Sequence, residues 1–533
     1  MKRFLAALLI GLAAAPSAQA APAPKLIVAL SVDQLSSSLF REYRPHFTGG
    51  LKRLAEGVAY ADGFQAHAAT ETCPGHSTIL TGAHPARSGI IANGWIDFEA
   101  PRADEAIYCA EDESVPGSTS DDYRVSPTHL GVPTLGDRMK AADPRSRVVS
   151  VSVKDRSAVM LGGRHADQLL WAGENGFVGL EGTTPAPVVA QVNRSVLAAI
   201  AKPRPPLPLP DFCKPKAVEV TLPNGRTIGT HRFAREAGNK AAFRASPEAD
   251  AATLALAAAL IQQLQLGRGP ATDLLAIGLS ATDYVGHRYG PGGVEMCLQL
   301  TTLDADLGSF FDLLDKTGVD YAVVLTADHG GLDVPERLRL QDVAEAARVE
   351  AGATPAGIGK EIAARLGLTE PVFDGDWYVT PSVPEAQRDE VLALARELLS
   401  AHPQVHSVYA AAEVAARPMP TRAPSDWSML DRMRASYHPE RSGDLLVALK
   451  PHISPVAGLG VVGTHGSPWD YDRKVPILFW WEGITPETRG ESVMTVDIMP
   501  TLASLIGLPV PAGEIDGRCL DLLAGPETNC PVP

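Results

Sequence analysis

The sequence KLIVALSV, residues 25–32, is an apolar run of aliphatic residues that ends at Asp33. A short run of this kind predicts a strand buried on both faces of a parallel sheet. Similar runs recur at residues 146–153, 273–280, 320–327, 444–450 and 475–481. Helical patterns lie between them, and this alternation is typical of a sheet covered by helices on both faces. We therefore predict an α/β protein with a three-layer α/β/α core and a mostly parallel sheet.

Charged and imidazole side chains follow these predicted strands. Parallel strands end at one shared edge of a sheet, where ligands bind, so we expect these side chains to converge. They are Asp33, Lys154, Asp283, His287, Asp328, His329 and, in the loop before the run at 475–481, His465. Taken singly, an aspartate after a strand is more often a helix cap than a ligand. Taken together, the aspartates and histidines suit two zinc ions, which accept nitrogen and oxygen ligands.

The stretch TETCPGHST, residues 70–78, offers several candidate nucleophiles between the first strand and a helix. Pro74 is a favourable first-turn residue because it needs no N–H donor. Thr72 or Cys73 then lies at the helix N-terminus, where free N–H groups and the helix dipole favour an anion. A hydroxyl bound to a metal ion at this point would be an activated nucleophile.

The bulk composition limits the partners and the architecture. The 533 residues are 45% hydrophobic and 20% charged, which is typical of a globular protein, and the net charge is -15. The sequence has no block of clustered lysine and arginine, so it does not predict a groove that binds a nucleic-acid backbone. Two stretches, about 161–250 and 346–440, are predicted to be insertions that form a cap on the core. We expect a monomer.

The first twenty residues have the pattern of a secretory signal peptide. Lys2 and Arg3 precede an apolar run, and Ala18-Gln19-Ala20 fits a cleavage site, so residues 1–20 are predicted to be removed after Ala20. The run is short for a membrane span, and no later segment is long and apolar enough. We expect an exported protein in a bacterial periplasm or the medium.

Export permits disulfide bonds among the six cysteines. Cys519 and Cys530 are close in sequence and are predicted to pair, and Cys109–Cys213 is a second candidate pair. Connectivity does not follow from sequence alone. The cysteines lack the close spacing of a thiolate zinc cluster.

Several motifs together resemble the alkaline phosphatase superfamily, in particular its branch of exported PafA/PhoK-like alkaline phosphatases, which is related to nucleotide pyrophosphatase/phosphodiesterases. The resemblance covers nearly the whole chain after residue 20. It rests on SVDQ (31–34), TETCPGHSTILTGAHPARSGIIANGWID (70–97), SVKDRSAVML (152–161), SATDYVGHRYGP (280–291), TADHGG (326–331), GTHGS (463–467) and TVDIMPTLASLIGL (495–508).

The resemblance implies a role for each matching residue. Thr72 would be the nucleophile that is transiently phosphorylated. One zinc ion would be held by Asp283, His287 and His465, and the other by Asp33, Asp328, His329 and the Thr72 oxygen. Asn93 would donate to a phosphoryl oxygen, and Lys154 and Arg156 would mark the branch that hydrolyses phosphate monoesters.

The alternatives differ in substrate. The same site could serve a phosphodiesterase or nucleotide pyrophosphatase, or the chain could be a binding protein on an inactive hydrolase scaffold. Lys154 and Arg156 flank Asp155 and could form only surface ion pairs. Sulfatase maturation reads C-x-P-x-R, whereas residues 73–77 place proline one position too early and lack arginine. We therefore expect Cys73 to be a small packed residue and His76 to pack or hydrogen-bond in the turn.

Overall fold

The computed structural model describes residues 23–102, 104–523 and 527–531. The signal peptide predicted for residues 1–20 lies outside these ranges. Within them, no helix has both the length and the apolar character that a membrane crossing requires.

The described chain is built around a nine-stranded sheet. Its strands are β1 (Leu26–Val32), β2 (Val58–Phe64), β3 (Val148–Ser152), β4 (Gln168–Gly173), β5 (Gly176–Gly179), β6 (Asp273–Leu279), β7 (Tyr321–Thr326), β8 (Lys474–Trp481) and β9 (Glu487–Arg489). Their order across the sheet is β9-β2-β8-β7-β1-β6-β3-β4-β5. The central strands from β7 to β4 are parallel, whereas β8 and β5 run antiparallel to their neighbours. The predicted α/β fold with a mostly parallel sheet is confirmed. The prediction that residues 475–481 form a parallel strand is wrong, because β8 runs antiparallel to both of its neighbours.

Helices connect and cover these strands. They are α1 (Ser37–Tyr43), α2 (Gly50–Ala55), α3 (Thr72–Thr81), α4 (Pro85–Ser88), α5 (Leu135–Ala142), α6 (Asp155–Gly162), α7 (Pro187–Ile200), α8 (Lys240–Arg244), α9 (Pro247–Leu264), α10 (Ala281–Tyr289), α11 (Val294–Thr317), α12 (Pro335–Leu340), α13 (Pro355–Leu366), α14 (Arg388–Ala401), α15 (Ala411–Ala416), α16 (Met429–Ser436), α17 (Asp470–Arg473) and α18 (Ile498–Leu505). Short 3₁₀ turns lie at Arg44–His46, Asp211–Lys216, Ala351–Ala353, Glu385–Gln387, Pro424–Asp426 and Thr495–Asp497.

The alternation of side chains along β1 produces the three layers. Leu26, Val28 and Leu30 pack on one face of the sheet, in a cluster that includes residues of α9 and α11. Ile27 and Ala29 pack on the other face, with residues of α3, α5 and α18. Because both faces are covered, every residue of β1 is buried, which explains why its sequence is a continuous apolar run.

In the described part of the chain, five pairs of short strands lie outside the main sheet. They are Gly94–Ile96 with Ala106–Tyr108, Val220–Thr221 with Thr227–Ile228, Ala347–Arg348 with Ile453–Ser454, Phe373–Asp374 with Tyr378–Val379, and Val405–Ala410 with Leu445–Leu449. The prediction that residues 444–450 form a strand of the parallel sheet is therefore wrong. This strand pairs with Val405–Ala410 because its apolar side chains pack in a separate cluster with α13 and α14.

The two stretches predicted as insertions differ in their packing. Between residues 161 and 250, β4 and β5 extend one edge of the main sheet, and α7 packs on α9. Between residues 346 and 440, most of the apolar side chains form a cluster of their own. This second stretch packs beside the carboxyl edge of the sheet, where a cleft of about 340 Å³ lies between them.

Three disulfide bonds link the cysteines. Cys519–Cys530 is confirmed, but the predicted Cys109–Cys213 pair is wrong, because the bonds are Cys73–Cys109 and Cys213–Cys297. Cys109 follows a strand of the hairpin that lies against the start of α3, which brings it to Cys73. Cys73 is buried as expected, but it is a disulfide partner and not simply a small packed residue.

Candidate active site

The residues predicted to follow the strands meet at the carboxyl edge of the sheet. Asp33 follows β1, Asp283 lies in the first turn of α10, and Lys154 precedes α6. The Lys154 Nζ atom lies 2.6 Å from Asp33 Oδ2 and 2.5 Å from Asp283 Oδ2. All three side chains are buried. The three parallel strands β1, β6 and β3 thus bring Asp33, Asp283 and Lys154, which follow them in the sequence, into contact.

Asp283, His287 and His465 form one group of potential metal ligands. Asp283 Oδ1 lies 3.2 Å from His287 Nε2 and 3.5 Å from His465 Nε2. His287 lies one turn after Asp283 on α10, so both side chains project from one face of the helix. His465 arrives from the loop before β8, and this is the same set that the resemblance assigns to one zinc ion.

The remaining predicted ligands surround Asp33. Asp33 forms one group with Asp283 and His329, and another with Asp328 and His76. His329 Nε2 lies 3.5 Å from Asp33 Oδ1 and 3.2 Å from Asp328 Oδ2. The structure therefore brings together the predicted Asp33, Asp328 and His329, and it adds His76 at their rim.

Backbone carbonyl groups orient the three histidines. The Nδ1 atoms of His287, His329 and His465 donate to the carbonyl oxygens of Gly463, Gly330 and Thr70 at 2.9, 2.8 and 2.8 Å. Because a carbonyl can only accept, Nδ1 carries the proton, and Nε2 is left as a lone-pair donor. This orientation by an outer hydrogen bond is typical of histidines that bind a metal.

Several buried oxygen and nitrogen atoms of the predicted metal ligands lack well-directed hydrogen bonds. Their environment shows whether these ligands are suited to bind a metal ion. Among the described residues, Asp33 Oδ1, Asp328 Oδ2 and His329 Nε2 accept no well-directed hydrogen bond, and Asp33 Oδ2 has the Lys154 ammonium beside it without a well-directed hydrogen bond. Such atoms are costly to bury unless a cation binds them. The donor set of carboxylates and neutral imidazoles therefore fits metal ions that take nitrogen and oxygen ligands.

Thr72 begins α3 at the border of this cluster. Its side chain is buried, and its Oγ1 lies 3.3 Å from Lys154 Nζ. The positive end of the α3 helix dipole lies at the same point, where it favours an anion. The Cys73 N–H donates to Asn93 Oδ1 at 2.9 Å, so Asn93 also lies beside the N-terminus of this helix.

Burial and mutual repulsion set the pKa values of the central groups. Burial, together with the charges of Asp328 and Asp283, raises the pKa of Asp33. Burial alone would lower the pKa of Lys154, but the carboxylates of Asp283 and Asp33 raise it instead. Lys154 therefore stays protonated and supplies positive charge among the carboxylates.

Arg156 lies on α6, two residues after Lys154. Its Nη1 atom donates to the Tyr108 hydroxyl at 3.4 Å. Within the described ranges neither Arg156 nor Lys154 forms an ion pair with Asp155, so the surface ion pairs considered from the sequence are not formed. Both cationic side chains are instead held at the edge of the sheet.

Gln34, His76 and Glu71 form contacts at the site that the sequence did not predict. The Gln34 N–H donates to Asp328 Oδ1 at 3.1 Å, and Gln34 Nε2 donates to Asp283 Oδ1 at 3.0 Å. His76 donates from Nδ1 to the Thr72 carbonyl at 2.9 Å, as expected for the turn, but it also lies 3.1 Å from Asp328 Oδ2.

Glu71, the third of these residues, precedes the nucleophile candidate. Its Oε2 atom accepts from the Asn93 N–H at 2.7 Å, and burial raises its pKa to about 7. The motifs TETC and SVDQ, which contain Glu71 and Gln34, were assigned to the site from the sequence. The hydrogen-bond partners of these two residues were not predicted, because no sequence spacing specifies them.

The fold and this cluster together define a metal-dependent hydrolase. The sequence profile of the family described as Type I phosphodiesterase / nucleotide pyrophosphatase matches residues 27–468. The chain therefore belongs to this family, and within it to the enzymes of the alkaline phosphatase type.

Similar proteins support this assignment over almost the whole chain. The chain is 54% identical to alkaline phosphatase PhoK of Sphingomonas sp over 522 residues, which are 96% of this chain and 93% of PhoK. It is 46% identical to alkaline phosphatase PhoD of Zymomonas mobilis over 519 residues, 95% of this chain and 90% of PhoD. The crystal structure of alkaline phosphatase PafA superposes with a TM-score of 0.80 at 25% identity, covering 94% of this chain and 99% of PafA.

Proposed function

We propose that this protein is an alkaline phosphatase that hydrolyses phosphate monoesters through a phosphothreonine at Thr72. The observation that carries the proposal is the position of the Thr72 hydroxyl. It lies at the N-terminus of a buried helix, 3.3 Å from Lys154 Nζ and beside a cluster of metal-ligating side chains. A hydroxyl needs such an environment to act as a nucleophile at moderate pH.

Two zinc ions fit the donor set. Asp283, His287 and His465 would hold one, and Asp33, Asp328, His329 and the Thr72 oxygen would hold the other. When bound, zinc supplies positive charge that favours a deprotonated nucleophile and stabilises the leaving oxygen. His76 would remain outside both sets, because the nitrogen that faces Asp328 is Nδ1, and this atom carries the proton donated to the Thr72 carbonyl.

The other residues of the site neutralise the charge of the phosphoryl group. Asn93 is oriented by its bond to the Cys73 N–H, which leaves its side-chain NH₂ group to donate to a phosphoryl oxygen. Lys154 and Arg156 offer two further cationic donors. A phosphate monoester carries one more negative charge than a diester, so two cations favour the monoester.

A diester substrate is the second candidate, because the matching family is described as phosphodiesterases and nucleotide pyrophosphatases. The discriminating residues are Lys154 and Arg156. Replacing both with alanine is expected to lower kcat/KM for a monoester much more than for a diester. If the double variant retained the wild-type monoester rate, the monoester assignment would be wrong.

The experiment compares a monoester, a diester and a sulfate ester as substrates of the zinc-loaded enzyme. We expect the monoester to be hydrolysed fastest, and Thr72→Ala to reduce that rate by roughly 10³-fold or more, since it removes the nucleophile. Thr81→Ala is the matched control, because Thr81 lies at the other end of the same helix and donates only to Ser77. A faster sulfate reaction, or an active Thr72→Ala enzyme, would contradict the proposal.

Two further features belong to the proposal. We expect the protein to be exported to the periplasm or the medium after removal of residues 1–20. The disulfide bonds are compatible with an oxidising compartment. We also expect it to act as a monomer on small soluble phosphate esters.

A further inference from the structure

Two tyrosines lie behind Arg156, and the reaction described above gives them no role. The Tyr108 hydroxyl donates to Asp155 Oδ1 at 2.8 Å, and the Tyr123 hydroxyl donates to Asp155 Oδ2 at 2.7 Å. The two rings lie 4.6 Å apart between their centroids. Arg156 Nη1 reaches the Tyr108 oxygen at 3.4 Å, so the guanidinium contacts the same pair.

The two hydroxyls donate to both carboxylate oxygens of Asp155, which lies between Lys154 and Arg156 in the sequence. Asp155 Oδ1 also accepts the Arg156 backbone N–H at 2.7 Å. A free carboxylate beside an arginine forms a strong bidentate pair, which would draw the guanidinium away from substrate. With its oxygens bound to uncharged donors, Asp155 orders the start of α6, and Arg156 donates to Tyr108 from Nη1 without forming an ion pair with Asp155.

A braced hairpin holds Tyr108 in this position. Tyr108 ends the strand Ala106–Tyr108, and its N–H donates to Glu111 Oε1 at 2.7 Å. Glu111 is buried and pairs with Arg102 through two hydrogen bonds of 2.6 and 2.7 Å. The next residue, Cys109, donates from its N–H to the Asn93 carbonyl at 3.0 Å and is bonded to Cys73, beside Thr72.

We propose that Tyr108 and Tyr123 are positioning residues that determine monoester specificity. They hold Arg156 toward the non-bridging oxygens of the phosphoryl group and keep it from pairing with Asp155. The inference rests on the proposed role of Arg156 in binding the dianionic phosphoryl group. It extends that role to a tyrosine pair on a separate part of the chain, residues 106–123.

The experiment measures kcat/KM for a monoester and a diester with Tyr108→Phe, Tyr123→Phe and the double variant. Each substitution removes a hydroxyl and keeps the ring. We expect the double variant to lose roughly tenfold in monoester kcat/KM, about the value of one hydrogen bond to a charged group, while the diester value changes less than about twofold. Tyr321→Phe is the control, because Tyr321 donates to Asp315 at 2.7 Å far from the site.

A double-mutant cycle separates positioning from a general structural effect. In an Arg156→Ala background the tyrosine substitutions should have no further effect on the ratio of monoester to diester kcat/KM. An unchanged ratio in the Tyr108→Phe/Tyr123→Phe enzyme, or an undiminished effect in the Arg156→Ala background, would overturn the inference. If Arg156→Ala alone left the ratio unchanged, the proposed role of Arg156 would fail, and the inference with it.

Discussion

Gln34 has a backbone conformation that few residues other than glycine adopt, and it lies between the carboxylates of Asp328 and Asp283. Its φ of 67° lies in the left-handed region, which costs a non-glycine residue about 1–2 kcal/mol. The cost is offset because the backbone N–H reaches Asp328 and the side-chain amide reaches Asp283. Gln34 therefore orients one ligand of each proposed zinc ion.

This geometry predicts a loss of metal affinity on substitution of Gln34. Gln34→Gly keeps the left-handed backbone but removes the side-chain bond to Asp283. We expect zinc affinity, measured by competition with a chelator, to fall about 10–100-fold, as for other residues that orient metal ligands. Gln34→Asn is the matched variant, because it keeps an amide and tolerates positive φ, and its loss should be smaller. Equal affinity of Gln34→Gly and wild type would show that Asp283 needs no such support.

At the scale of secondary-structure elements, the reversed strand β8 explains how His465 reaches the site. The apolar run at 475–481 predicted a parallel strand, and this was wrong because nothing in its side chains encodes its direction in the sheet. Because β8 runs antiparallel to β7, its amino end lies at the carboxyl edge of the parallel strands. The loop that carries His465 therefore opens onto the same edge as Asp33 and Asp328.

The parallel strands β1, β3, β6 and β7 and the residues after them were predictable because burial on both faces imposes a continuous apolar pattern. The strands β2, β4, β5 and β9 were not predicted. The partners of Gln34, the Cys73–Cys109 bond and the small sheet that contains residues 445–449 were not. Each depends on which distant segments meet, and a local pattern does not specify that. The ligand set assigned by resemblance converges in space, but its binding of zinc stays a prediction.

The disulfides allow a prediction about the hairpin that ends at Cys109. The bond Cys73–Cys109 spans 36 residues and Cys213–Cys297 spans 84, so their entropic contributions to stability differ by less than about 1 kcal/mol. Replacing either pair with alanine should lower the melting temperature by a similar amount. Only loss of Cys73–Cys109 should also lower kcat for a monoester below the melting transition, because that bond is adjacent to Thr72. Equal kcat in the two double variants would refute a positioning role for this bond.

At the scale of the whole molecule, the site concentrates negative charge inside a chain of net charge -15. Asp33, Asp283 and Asp328 are buried together, and Lys154 is the cation in contact with two of them. Carboxylates in this arrangement repel one another and raise the free energy of the folded state. Bound cations relieve that repulsion, so metal content and global stability should be coupled.

This coupling predicts the effect of metal removal. Dialysis against EDTA should abolish phosphatase activity and lower the melting temperature, and zinc should restore both. Zinc at 100 times its dissociation constant stabilises the folded state by about 2.7 kcal/mol per site. The measurement is a thermal melt of apo and reloaded protein, with Asp283→Asn as the control that should respond less to zinc. A melting temperature independent of zinc would mean that the cluster does not bind it.

Mass spectrometry of the enzyme quenched in acid during turnover of a phosphate monoester tests most directly whether Thr72 is phosphorylated. We expect the added mass of one phosphoryl group on the peptide that contains residues 70–78, located at Thr72 and absent from Thr72→Ala. If the enzyme carried no phosphoryl group during turnover, or carried it on another residue, Thr72 would not be the nucleophile.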